Sequence, residues 1–284
     1  MRQILTVLAA RTFSSRVFAR CGAGWRGMAT TSNDGAIAPA LGGRRRAALI
    51  VGAGSGIGGA VARRFAREGL VACCVRRTDT EKLAALVADI RAAGGEAVAL
   101  RCDATCEADV GALVRRVEAE VGPIEFALYN LGANVGSRPL ASLTSRVYER
   151  AWQLGSLGPF LLARAVTPLL AERGHGTLIF TGATASVRGN AEQAAHAGAM
   201  FARRALAQSV AAEYGPQGVH VAHVVVDGMV DSPDTLGQFF PKAFAAAKAA
   251  LGPVDGIVQP ASIADAYWFL HTQPRHSWTF ELDM

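Results

Sequence analysis

A short apolar run, Ala47–Val51, passes directly into a turn carrying Gly52, Ser55, Gly56, Ile57 and Gly58, and a helical pattern follows over 59–68 with Val61, Ala62 and Phe65 on one face. This junction constrains the fold more than any other stretch of the chain. A strand joined to a helix by so tight a turn belongs to a βα unit, whose parallel sheet must be covered by helices. It also creates a binding surface. The first backbone N–H groups of a helix have no intrahelical acceptor and sit at the positive end of the helix dipole. A pyrophosphate satisfies both conditions, and glycines let the backbone approach it without Cβ clashes. The plain alternative is a strand–helix turn with no ligand.

The remainder repeats the alternation. Strands are predicted at Val71–Val75, Ala97–Arg101, Phe126–Tyr129, Thr177–Thr181, Val219–Val226 and Thr279–Asp283. Between them lie helical spacings at Leu83, Leu86, Val87 and Ile90, at Val110, Leu113, Val114 and Val117, over 146–171 and 195–214, and over Ile263–Leu270. The expectation is a doubly wound α/β domain with a parallel seven-stranded sheet flanked by helices, spanning 46–284 without a second domain.

Composition bounds the partners. The net charge is +6, but residues 1–33 hold Arg2, Arg11, Arg16, Arg20 and Arg26 and no acid. Taking those five away leaves about +1 for the rest, too little for the dense basic face that nucleic-acid binding needs. Residues 1–33 read as a transit peptide, with a mitochondrial matrix address expected and a plastid address as the alternative. Residues 34–45 read as a linker. No apolar run reaches the roughly 20 residues of a membrane span. The five cysteines have no metal-ligand spacing, so no metal site is expected. Cys73 and Cys74 are strand neighbours on opposite faces, read as small buried residues in a reducing compartment.

Beyond the second strand, an acidic residue would favour the ribose hydroxyls of NAD(H). Here stand Arg76 and Arg77. Guanidinium groups favour a 2′-phosphate through charge-assisted hydrogen bonds, which points to NADP(H) over NAD(H). The alternative is a solvated turn without a cofactor role.

The spacing of Gly52, Gly56 and Gly58, Asp103 after the third strand, Asn130 and Gly132 after the fourth, and 226–232 after the sixth together resemble the short-chain dehydrogenases/reductases, from Arg46 to Met284. Asp227 stands where that family usually has proline. The resemblance implies a Rossmann-type fold and a nicotinamide dinucleotide cofactor. It implies that Asp103 and Ala104 meet the adenine and that Asn130 and Gly132 line the adenine-ribose and central floor. It also implies that Gly228, Val230 and Ser232 meet the nicotinamide amide and phosphates.

The catalytic half departs from the family. Its Tyr-x-x-x-Lys pair works because an ammonium lowers the phenol pKa from about 10, and a serine hydroxyl polarises the carbonyl. At the positions of the family's Asn, Ser, Tyr and Lys this chain has Gly155, Ala183, His196 and Met200. Tyr-x-x-x-Lys occurs in no register.

Three readings follow. In the first, the chain is an oxidoreductase that moves a hydride to or from a carbonyl or alcohol, with His196 in place of the tyrosine. Imidazole titrates near 6.5 and needs no ammonium beside it. Thr181, Thr184 or Ser186 would then supply the hydroxyl missing at Ala183. In the second, it is a catalytically inactive relative that binds cofactor as a sensor or partner subunit. In the third, it is an interaction protein whose cradle is empty. His196 as an ordinary helix histidine is the plain alternative to a catalytic one.

The small-molecule substrate is expected at 232–256, where Leu236, Phe239, Phe240, Phe244 and Leu251 would either lid an apolar compound or form core beneath a loop. Lys242 and Lys248 are expected to face solvent. In the family the helices matching 146–171 and 195–214 pair between subunits, and Phe160, Leu161, Val166, Phe201, Leu206 and Val210 offer apolar positions there. The resemblance therefore implies a homodimer or homotetramer.

Overall fold

The computed structural model describes residues 45–78, 80–232, 236–239, 241–250 and 257–284, without the side chains of Thr80, Leu236 and Phe239. The expected leader at 1–33, the linker up to Arg44, and Phe240 and Leu251 lie outside the described residues.

Seven strands form one parallel sheet in the order β3-β2-β1-β4-β5-β6-β7. They are β1 (Ala47–Val51), β2 (Val71–Arg76), β3 (Ala97–Arg101), β4 (Ile124–Tyr129), β5 (Gly176–Thr181), β6 (Val219–Val225) and β7 (Glu281–Asp283). Strands β1 and β6 are buried end to end, and β4 at every position but Glu125, as apolar runs without alternation require when helices cover both faces. Register places Val51 beside both Val75 and Tyr129, so the carboxyl ends of β1, β2 and β4 lie level. The chain order reverses between β1 and β4, and ligands of open α/β sheets bind in the crevice at such a point.

Helices α1 (Ile57–Arg67), α2 (Thr80–Ala92), α3 (Glu107–Arg116), α4 (Ser145–Trp152), α5 (Gly158–Arg173) and α6 (Ala194–Tyr214) connect the strands. After β6 come α7 (Leu236–Phe239), α8 (Pro241–Ala250) and α9 (Pro260–Thr272). Phe65 of α1 stacks on Phe126 of β4 with ring centroids 3.9 Å apart, in a core shared with Tyr267 and Leu270 of α9. On α6, the ion pair of Arg204 with Glu281 of β7, at 2.6 and 2.7 Å, ties the helix to the last strand.

The pattern over 146–171 is not one regular helix. A π-helical stretch at Gln153–Leu157 joins α4 to α5. Tyr129 fills the space behind it and donates its hydroxyl to the Leu154 carbonyl at 2.8 Å. A Cβ on Gly158 would lie 2.1 Å from that hydroxyl, so only glycine lets α5 lie so close to β4. By length and composition Ser145–Arg173 is long and apolar enough to cross a membrane, which reading for unbroken apolar runs did not find; half of its most apolar window is buried within the fold, as in a core helix.

Candidate active site

The cradle forms as its glycines require. Gly52 adopts φ +97°, and its N–H and that of Ala53 both donate to the Val75 carbonyl, turning the chain back from β1. A Cβ on Gly58 would lie 2.2 Å from the Gly52 carbonyl oxygen. The first turn of α1 has neither a side-chain cap nor an acidic residue, so no group of its own neutralises the helix start. Ser55 is exposed and Ile57 half-buried at the rim. Ser232, buried, comes back from beyond β6 to rest against Gly56. These features fit a dinucleotide diphosphate: bare amides, a backbone surface kept clear of Cβ atoms, and a hydroxyl closing the far side.

Asn130 fixes the floor. Its side-chain N–H donates to the Gly52 carbonyl at 3.2 Å, so its Oδ1 is the acceptor for the Thr181 hydroxyl at 2.9 Å. That spends the Thr181 proton, and Tyr267 must donate its hydroxyl to Thr181 across 2.8 Å. The chain Tyr267, Thr181, Asn130, Gly52 locks β5, β4 and β1 at their carboxyl ends. Gly132 is exposed beside it.

At the other end, Arg76 closes β2 in register with Arg101 of β3, and Arg77 lies 3.5 Å from the Asp103 carboxylate. Burial works to raise the Asp103 carboxyl, but two hydrogen bonds from Thr105 and the charges of Arg77 and Arg150 outweigh it and hold it below the usual range. Asp103 is therefore anionic and Ala104 is buried behind it. Arg77 is half exposed, and among the described residues its carboxylate partner is Asp103.

Past β6, Val230 bridges to Val258, and a Cβ on Gly228 would meet Val258 at 2.7 Å. Asp227 exploits its difference from proline: its N–H donates to the Met284 carbonyl at 2.8 Å, and its carboxylate accepts from the Thr184 hydroxyl. None of the three hydroxyls considered for the vacancy at Ala183 serves there. Thr181 and Thr184 are engaged as described, and Ser186 is fully buried, accepting from the Ala183 N–H at 3.1 Å.

His196 is the third residue of α6 and half-buried. Its ring lies against the Ala133 carbonyl, while Nδ1 is buried without a partner. Burial pushes its imidazole below 6.5, and the Arg203 charge adds to this against the pull of the Ala133 carbonyl. The ring is thus neutral at pH 7 and able to accept a proton, although the lowered pKa makes it a weaker base, and its protonated form a stronger acid, than an ordinary histidine. Gly155 could not be the family's asparagine without rebuilding: its Cβ would lie 2.7 Å from Ala199 and 2.9 Å from Ala133. Met200 is buried in the same cluster of small residues.

Sequence reading missed Arg203. It is 1% exposed and donates to four backbone carbonyls, Thr181 at 2.6, Leu131 at 2.7, and Leu154 and Gly155 at 3.1 Å. The available signal was a charge in the apolar row formed by Met200, Ala207 and Val210. Lys248 also differs from expectation: it pairs with Asp231 at 2.9 Å and lies over Phe244, which closes α8 onto the segment after β6. Among the apolar positions proposed for subunit pairing, Phe160 and Phe201 are exposed, whereas Leu161, Val166 and Val210 are core and Leu206 is half-buried. Cys73, Cys74 and Cys102 are buried thiols, the last two pushed up to about 12 by burial.

The sequence pattern of the short chain dehydrogenase family matches residues 46–237. Short-chain reductase protein NovJ of Streptomyces niveus is 34% identical over 186 residues, covering 66% of this chain and 70% of that protein. Cis-4-hydroxycyclohexanecarboxylate dehydrogenase of Sinomonas cyclohexanicum is 29% identical over 225 residues, covering 79% and 88%. Among solved structures, a short-chain dehydrogenase from Rhodopseudomonas palustris superposes with TM-score 0.71 at 38% identity, covering 85% of this chain and 99% of that one. A metagenomic short-chain oxidoreductase in complex with NADP superposes with TM-score 0.69 at 26% identity, covering 84% and 96%.

Proposed function

Because the chain belongs to the short-chain dehydrogenase family, we propose that it binds NADP(H) in preference to NAD(H) and transfers a hydride between that cofactor and a carbonyl or alcohol substrate, with His196 handling the proton. The cofactor, when bound, supplies or accepts the hydride. The chain's residues hold and orient. Gly52 turns the chain and keeps it clear of Cβ atoms, Gly56 and Gly58 offer amides at the helix start to the diphosphate, and Ser232 closes over it. Asp103 and Ala104 flank the adenine, while Arg76 and Arg77 take the 2′-phosphate. Asn130 and Gly132 keep the floor, and Gly228 and Val230 border the nicotinamide end.

His196 carries the assignment of chemistry. It stands where the family's tyrosine would, it is the titratable group there, and it is held neutral. In alcohol oxidation the neutral ring takes the hydroxyl proton as hydride leaves carbon; in carbonyl reduction the same nitrogen returns it. The hydroxyls of Thr181, Thr184 and Ser186 are held in the hydrogen bonds described above, so we give the handling of the proton to His196. We place the substrate against 232–256, under α8, as a small apolar compound.

The test is a panel of carbonyl compounds and alcohols with NADP(H), run with His196→Ala. Acid–base help is worth about 100- to 10,000-fold, so the variant should lose at least about a hundredfold in turnover. Unchanged turnover would remove His196 from the mechanism. The closed space at Gly155 and the missing hydroxyl favour a second reading, a cofactor-binding sensor or partner subunit without turnover. That reading predicts saturable NADPH binding with no conversion across the panel. We assign residues 1–33 as a mitochondrial leader, to be tested by organelle import of the full chain with and without them.

A further inference from the structure

Arg203 is the largest fully buried side chain in the described fold. Burial lowers its guanidinium to about 10, so it remains a cation at neutral pH. The titratable groups that feel its charge are the phenols of Tyr129 and Tyr267 and the imidazoles of His196 and His223, with the Tyr129 ring 5.0 Å away under the guanidinium carbon. Burying a cation whose hydrogen-bond partners are all neutral is costly. An apolar residue like its row-mates Met200 and Ala207 would fill the core at less cost.

The four carbonyls it holds are the ones that shape the site. Leu131 is two residues before Ala133, whose carbonyl lies on the His196 ring. Thr181 fixes Asn130 through its side chain and Arg203 through its carbonyl. Leu154 and Gly155 belong to the π-helical stretch that closes on Ala133 and Ala199. Arg203 itself is seven residues, two helical turns, beyond His196 on the same face of α6.

We infer that Arg203 is a positioning residue of the proton-handling site: from inside α6 it supplies the buried cation that Met200 does not, and ties the ends of β4, β5 and the π-helical stretch into one floor beneath His196. This rests on the assignment of His196 as the proton-handling group. The geometry has an electrostatic consequence, because the fixed charge disfavours a proton on the imidazole. The other titratable and charged groups around α6 are Tyr148 of α4 against Gly198, Arg150 of α4, Tyr129 of β4, Tyr267 of α9, and His223 of β6, which shares the Glu281 carboxylate of β7 with Arg204.

The test compares Arg203→Lys and Arg203→Met in the full chain. The His196 ring is titrated by NMR in the free protein, its signal identified by loss in His196→Gln. Arg203→Met should raise the His196 midpoint by about half a pH unit or more, as expected for removing a nearby buried charge. Arg203→Lys keeps the charge but cannot reach four carbonyls. Its midpoint should stay near the wild-type value while kcat falls about tenfold or more through lost alignment, with NADPH affinity changed far less. An unmoved midpoint in Arg203→Met, or a wild-type kcat in Arg203→Lys, would overturn the inference. If Arg203→Met does not fold, Arg203→Lys decides alone. Full turnover in His196→Gln would sink the assignment beneath the inference. Loss there combined with normal turnover in Arg203→Lys would sink the inference alone.

Discussion

A methyl group built on Gly56 would stand 3.1 Å from the Ser232 hydroxyl, so the start of α1 and the segment beyond β6 meet across the cradle. The obstacle at Gly58 is different in kind: its methyl would lie 2.2 Å from the Gly52 carbonyl, which is backbone and cannot step aside. The two positions should therefore separate binding from folding. Gly56→Ala should keep its thermal midpoint within a few degrees and lose about tenfold in NADPH affinity, or 1.4 kcal/mol. Gly58→Ala should lose both, by fluorescence titration and thermal unfolding. Wild-type affinity in Gly56→Ala would place the diphosphate elsewhere.

Cofactor preference depends on Arg77. A hydrogen bond to a charged group contributes about 1.5–3 kcal/mol. Arg77→Gln should thus weaken NADPH binding by about ten- to a hundredfold and leave NADH nearly unchanged. Asp103→Asn frees Arg77 from its partner at 3.5 Å and should tighten NADPH relative to NADH. Equal losses for both cofactors in Arg77→Gln would contradict the role.

Stability should fall on mild acidification. Burial holds the imidazoles of His196, His220 and His223 below 6.5 in the folded chain. As pH drops through 6.5 the unfolded chain takes up protons that the folded one refuses, and the stability difference is lost progressively down to the folded-state values. Glu281, held low chiefly by its hydrogen bonds from Arg204, adds a second loss of the same sign below 4.5. Thermal midpoints measured from pH 8 to 4 should begin to fall near 6.5, and His223→Leu should flatten the first part of the slope. A constant midpoint between pH 7 and 5 would contradict this.

Phe160 and Phe201 each expose about two-fifths of their surface on α5 and α6. With the homodimer or homotetramer expected from resemblance, changing both to Asp should give monomers by light scattering with the fold retained by circular dichroism. A wild-type monomer would remove the basis for this prediction.

The sheet was legible because its signals are local and redundant. Apolar runs such as Ala47–Val51 can be nothing but central strands once helices alternate with them, and glycine spacing announced the turn at Gly52 before any coordinate did. The catalytic half was legible only by subtraction. Sequence placed Gly155 and Ala183 at the family's polar positions, but the collision of a Gly155 side chain with Ala199 is a tertiary fact. The same holds for Thr184, whose hydroxyl looked free until Asp227, 43 positions later, was seen to accept it. Arg203 escaped because a charge is read as solvated by default even where periodicity sets it in the apolar row of Met200, Ala207 and Val210, and only packing revealed four carbonyls around it.

Titration calorimetry of the full chain with NADPH and with NADH bears most directly on the dinucleotide cradle. One saturable site for NADPH, bound about tenfold or more tightly than NADH, is the predicted result; no heat with either nucleotide would contradict the account at its root.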